Sequence, residues 1–270
     1  MQLSNIISNA KQLLSEYKDD MASFPEIEKT LELCEIAILE YDVDLNWVPI
    51  SQRTLKLCQT AISKDGLALE YVPKELLTRE LCMIAVSKSG YSLKFVPAEL
   101  IDDEMCLVAV KEDGDSLQFV PKKYLSFEVC LAAVSNCFGG VIDLVPERHL
   151  TKKLCLAAVK KDGWSLYNVP NVLRDFDMCM AAVKNDGWAL QSVPKDLFTY
   201  ELCQAAVTND GLVLEIVPEM YHDHEMLLAA VNSEGLALIL INEEDRTPDI
   251  CKAAVLNNPK AYEYVPKDTI

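Results

Sequence analysis

A chain of 270 residues with 42 acidic and 25 basic side chains carries a formal net charge of −17. That balance excludes the Lys/Arg stripe that nucleic-acid phosphates require and argues against anionic membrane surfaces. It suits solubility and a basic polypeptide as partner. Half of the residues are hydrophobic, yet the longest apolar stretches, such as 236–241, are far too short to cross a bilayer. The N-terminus has no basic start, no unbroken apolar run and no small-residue cleavage site, so no secretory signal is expected.

In chain order, Leu3, Ile6, Ile7, Ala10, Leu13, Leu14 and Tyr17 share one helical face. This predicts an amphipathic N-terminal capping helix within residues 1–24. From residue 25 onward the chain repeats. Val-Pro stands at Val48–Pro49, Val72–Pro73, Val96–Pro97 and Val120–Pro121, then, after a one-residue slip, at Val145–Pro146, Val169–Pro170, Val193–Pro194 and Val217–Pro218. Ile241–Asn242 and Val265–Pro266 close the series. A fixed period of about 24 residues is the mark of a stacked repeat and overrides element-by-element reading. Residues 25–270 are therefore expected to form one array in which each unit touches only its neighbours.

Each unit opens a helix. Five residues after the proline position stand Thr30, Thr54, Thr78, Asp102, Ser126, Thr151, Asp175, Thr199, Asp223 and Thr247, all able to accept an orphan N–H of the first turn. The body follows as apolar–Cys–x–x–Ala–Val, one stripe of a 3.6-residue period. Its invariant alanine, Ala37 to Ala254, predicts close approach of a neighbouring backbone. Gly66, Gly90, Gly114, Gly163, Gly187, Gly211 and Gly235 are expected as left-handed residues just past the helix, with lysines near that end matching the dipole. A second, short helix of one or two turns then runs into Val-Pro, and the Leu three after the proline (Leu76, Leu100, Leu173, Leu197) is expected to be buried. The fold class is all-α: an α-solenoid of about ten short helical hairpins with an N-terminal cap. A leucine-rich repeat is the rival by period, but ELCMIAV at the equivalent stretch has helical spacing and no recurrent Asn.

Nine of the ten cysteines, Cys34, Cys58, Cys82, Cys106, Cys130, Cys155, Cys179, Cys203 and Cys251, fill one repeat slot, and Leu227 fills it in the remaining copy. A slot shared by Cys and Leu is a core slot. No CxxC pair exists, so zinc-finger spacing is absent. Reduced core thiols imply a cytosolic compartment, of the producing cell or of a host. The tenth, Cys137, lies in the insertion at 135–140, with a neutral surface insertion or a functional kink bearing an exposed thiol as the two readings.

The unit LCxxAVxxDGxxLxxVPxxL resembles the short tandem repeats of a domain-of-unknown-function family found in amoeba- and host-associated bacteria and in giant viruses. The likeness spans residues 25–270 and is cleanest over 80–218. It implies a host-associated setting and a secreted effector acting in a eukaryotic cytosol, and brings no catalytic residue or ligand.

No nucleophile–base order, phosphate loop or GxGxxG occurs, and the recurring carboxylates are helix caps, so no enzyme, cofactor or metal site is expected. His222 and His224 look metal-like, but Asp223 between them is a cap and Glu225 a first-turn residue that every copy resembles. Function is then sought at the slots that vary. Trp47, Tyr71, Phe95 and Phe119, two before successive prolines, form a candidate partner-binding stripe, either exposed as interface anchors or packed between short helices. Trp164 and Trp188 form a weaker candidate patch. The expected function is a monomeric, non-catalytic protein–protein interaction scaffold, with a structural spacer or regulatory arm of a larger assembly as the alternative.

Overall fold

The computed structural model describes residues 2–17, 23–25, 29–137 and 140–267, with side chains from residue 8 onward. Among the described residues there is no strand; eleven α-helices alternate with short 3-10 helices. The chain divides into two compact units, 1–136 and 137–270, and the boundary falls at the one-residue insertion. Unit 1 contains α1 (Gln2–Glu16), α2 (Leu31–Glu40), α3 (Leu55–Lys64), α4 (Arg79–Lys88), α5 (Asp103–Glu112) and α6 (Phe127–Asn136). Unit 2 contains α7 (Lys152–Lys161), α8 (Phe176–Asn185), α9 (Tyr200–Asn209), α10 (His224–Ser233) and α11 (Pro248–Asn257). Within each unit successive helices pack on one another and on the intervening 3-10 helices, which is the α-solenoid arrangement.

The caps work as their residue types dictate. Thr78 Oγ1 accepts from Leu81 N–H at 3.2 Å, and Asp175 and Asp223 accept from Met178 and Met226 at 3.0 and 2.9 Å. Thr247 differs: its helix starts at Pro248, and its hydroxyl donates to Asp249 instead. The face that follows is buried, for example Leu202, Cys203, Ala206 and Val207 in α9.

After most of the α-helices the chain winds a six-residue 3-10 helix, such as Gly187–Ser192, which buries Ala189 and Leu190; after α2 and α6 it has three and four residues. Val193, barred from the α region by Pro194, ends it, and a second 3-10 turn, Lys195–Leu197, leads to the next cap. The hairpin is thus α/3-10 rather than α/α. The leucines three after the proline are half-buried at these turns, not enclosed, because each lies on a single turn at the surface.

The glycines do not have the expected conformation. Among the described residues only Asp42 and Gly140 have positive φ. Helix α8 is closed by extended Asp186 (φ −145°), and Gly187 opens the 3-10 helix. The requirement is a contact between repeats. A Cβ on Gly163 or Gly187 would sit 2.6 Å from the carbonyl oxygen of Ala182 or Ala206 in the next repeat, and Gly66, Gly90, Gly211 and Gly235 face Ala85, Ala109, Ala230 and Ala254 in the same way. Glycine and the invariant alanine are two halves of one close approach.

Two polar ladders tie neighbouring repeats. Asn185 Nδ2 donates to Lys160 O at the end of α7 (3.1 Å), while its Oδ1 accepts from Gly163 N–H (2.8 Å); Asn209 does the same to Lys184 and Gly187. These bonds satisfy carbonyls that a helix C-terminus leaves orphaned. In unit 1 Asn136 Nδ2 donates to Lys111 O (2.7 Å), and Lys64 Nζ lies 2.6 Å from Ile38 O. The second ladder uses the residue before the cap. Arg174 donates to Val169, Tyr167 and, one repeat on, Ser192 (2.8, 2.9 and 2.6 Å); Arg53 and Arg246 repeat the pattern.

At the N-terminus α1 packs on α2. Ala10 and Leu14 are buried with Phe24, Leu33 and Ala37, and Leu13 and Tyr17 lie against them. The side chains of Leu3, Ile6 and Ile7 lie outside the described residues. So do Phe138 and Gly139 of the insertion. Cys137, one reading of which made it an exposed thiol, is 2% exposed; the insertion is taken up by Gly140 in the left-handed region (φ 78°).

Candidate interaction surfaces

The stripe residues each end a 3-10 helix: Leu45–Trp47, Gly66–Tyr71, Gly90–Phe95 and Gly114–Phe119. All four rings are half-buried. Trp47 meets Phe24 edge-on at 5.3 Å and lies under Lys29 Nζ at 4.4 Å. Phe119 meets Tyr91 at 5.5 Å, and Phe95 lies under Lys94 at 4.5 Å. Tyr71 lines a cleft and gives its carbonyl to Arg53 (2.6 Å).

The second patch is more open. Trp164 is 47% exposed, and Tyr167, three residues on, is 72% exposed. In the 3-10 helix Gly163–Asn168, three residues make one turn, so both rings share a face. With Gly140, Asp162, Ser165 and Asn168 they line a groove of about 350 Å³. Tyr167 was missed from sequence because its slot is otherwise mostly polar (Glu70, Lys94, Gln118, Gln191, Glu215); the pairing with Trp164 at three residues was the available signal. Trp188 is more enclosed, its Nε1–H donating to Asp210 Oδ2 at 2.8 Å.

Both tryptophans belong to one edge of unit 2, where α-helices end and 3-10 helices begin. A further groove on it is lined by Asp186, Trp188, Asp210, Leu212 and Glu234. Its carboxylates, Asp162, Asp186, Asp210 and Glu234, stand where helix C-termini place partial negative charge, with Lys160, Lys161 and Lys184 in the last turns before them. Asp162, Asp186 and Asp210 each accept from the N–H two residues on at about 3 Å, holding the side chains in place.

The groups that resemble catalytic or metal machinery are otherwise engaged. His222 Nε2 lies 3.0 Å from Val217 O, the position of an Arg in the staple, and His224 Nε2 lies 2.9 Å from Asp249 Oδ2. Among the described residues no three His, Cys, Asp or Glu side chains converge as a metal site would need. All ten cysteines are buried. Burial pushes the Cys82, Cys179 and Cys203 thiols up to about 11 and Cys106 to about 12, so the reactive thiolate is suppressed. Native protein should therefore react with fewer than one equivalent of a thiol reagent at pH 8 within minutes, and with all ten equivalents in denaturant; rapid native labelling of several thiols would contradict this packing.

Among the described residues no helix is long and apolar enough to cross a membrane. A protein-family model described as a domain of unknown function (DUF4116) matches residues 56–101 and 151–198. Each match covers about two repeats, one set in each unit. No curated protein and no solved structure matches the chain. The chain is thus a helical repeat protein with segments similar to that domain, and the similarity supplies a repeat without an activity.

Proposed function

We propose that the protein is a non-catalytic protein–protein interaction scaffold that takes a basic polypeptide along the carboxylate-bearing edge of unit 2, anchored by Trp164 and Tyr167. The exposed aromatic pair beside Asp162 carries this reading: large rings left open above an apolar groove are what interface anchors require, and the carboxylates select the charge of the partner. The half-buried stripe of Trp47, Phe95 and Phe119 fits packing better, since its rings are already covered by neighbours. Ten buried cysteines fit a reducing compartment, the producing cell's cytosol or, as the repeat resemblance implies, a host cytosol reached by an effector.

The test is capture on an array of basic, neutral and acidic peptides. The wild-type chain is expected to select basic sequences with an aliphatic or aromatic residue. W164S/Y167S should lose about thirtyfold in affinity with little change in melting temperature. Equal capture of acidic and basic peptides, or undiminished capture by the double variant, would overturn the reading.

A further inference from the structure

Unit 1 departs from the repeat rule at one place. Tyr41–Asp42 stand where five of the nine later copies have Asp-Gly. Asp42 takes φ 55°, and the 3-10 helix that follows is cut to three residues, Leu45–Trp47. This leaves a cleft of about 480 Å³ between the first and second repeats, within the size range of small-ligand sites. Its apolar walls include Val43, Leu67, Ala68 and Tyr71; its carboxylates are Asp42, Asp44, Asp65 and Glu70, against the single ammonium of Lys64.

We infer that this cleft receives an arginine side chain of a basic peptide, a second contact point of the partner class proposed above and dependent on that reading. The chain's own Lys64 displays the chemistry: its Nζ sits 2.6 Å from Ile38 O at the end of α2 and 2.8 Å from Asp42 Oδ1. A cation is thus already held at one side of the cleft by a helix C-terminus and a carboxylate. Lys64 meets the charge of Asp42 only. Asp44 makes no capping bond, Glu70 is exposed, and Asp65 uses one oxygen for Leu67 N–H (2.9 Å). Three negative charges remain over an apolar surface, and Leu67 is 40% exposed there. An arginine matches each part. Its planar fork can bond two carboxylates at once and stack on the Tyr71 ring, and its alkyl stem covers Leu67.

The inference is tested by nuclear magnetic resonance titration of the full chain with a blocked Gly-Gly-Arg-Gly-Gly peptide. Shifts at the Leu67, Glu70 and Tyr71 amides are expected, with affinity about tenfold weaker when citrulline replaces arginine or in D44N/E70Q. Equal binding of the citrulline peptide, no effect of D44N/E70Q, or shifts confined to unit 2 would overturn the site. So would free arginine amide binding as tightly as the peptide, which would make it a small-cation site. The citrulline comparison uses wild-type protein and stands even if the double variant folds poorly. If the peptide leaves this cleft untouched while the array still selects basic sequences through Trp164, only the arginine site falls; if both fail, the scaffold reading falls with it.

Discussion

Replacing Gly187 by alanine should lower the stability of unit 2 by about 2–4 kcal/mol, whereas the same change at Gly140 should cost only about 1 kcal/mol. The two glycines differ in what they answer to. At Gly187 the added Cβ would meet Ala206 O at 2.6 Å and Val213 Cγ2 at 3.2 Å. One obstacle is backbone and the other a buried core side chain, so neither can yield without moving a repeat. At Gly140 nothing lies within 4 Å of the added atom, and the penalty is only that of an L residue at φ 78°. Because stability in a stack is the sum of each unit and its neighbour contacts, G187A should also broaden the transition, releasing the repeats on either side separately. Urea unfolding followed by far-ultraviolet circular dichroism measures this. A G187A curve within about 0.5 kcal/mol of wild type would show that the glycine–alanine approach is not needed.

Loss of the Arg174 staple is the other large effect. R174A should destabilise unit 2 by about 2–3 kcal/mol, since the carbonyls of Val169, Tyr167 and Ser192 lose a charged donor. Burial lowers the pKa of Arg174 from its ordinary value. At any physiological pH the guanidinium is still charged, so no titration of this bond is expected. R174L should recover about 1 kcal/mol relative to R174A by covering the same apolar surface; leucine occupies this slot naturally at Leu77, Leu125 and Leu150. Thermal unfolding of the three proteins gives the order wild type, Leu, Ala. Equal stability of R174A and wild type would make the staple irrelevant.

The parts of this fold that are legible in sequence obey rules local to one repeat. Thr78 or Asp175 announces a helix start because its oxygen bonds an N–H three residues away, and Pro194 announces an end because it constrains its own neighbour. Cys106 and Ala109 share a helical stripe and are buried together. What escaped depends on the adjacent repeat. Gly187 fits a left-handed C-terminal residue equally well in sequence, and only the carbonyl of Ala206 reveals the actual reason for it. The slot before the cap holds Lys29, Arg53, Leu77, Phe198 and His222 among others, and this variety hid an Arg staple that bonds across repeats. The recurrent Asn185, Asn209 and Asn257 went unread for the same reason. The candidate surfaces shared this limit. Phe119 and Trp164 are both aromatic at regular slots, and only the neighbours decide that one is half-covered by Tyr91 while the other faces solvent.

The three tryptophans divide between the two candidate surfaces: Trp47 lies on the half-buried stripe, Trp164 and Trp188 on the edge of unit 2. Their indole N–H resonances can be followed together while the tightest-binding basic array peptide is added. A contact anchored at Trp164 and Tyr167 moves the Trp164 signal first and furthest and moves Trp188 less because Asp210 already holds its indole. Movement of Trp47 alone, or of none of the three at saturating peptide, would contradict it.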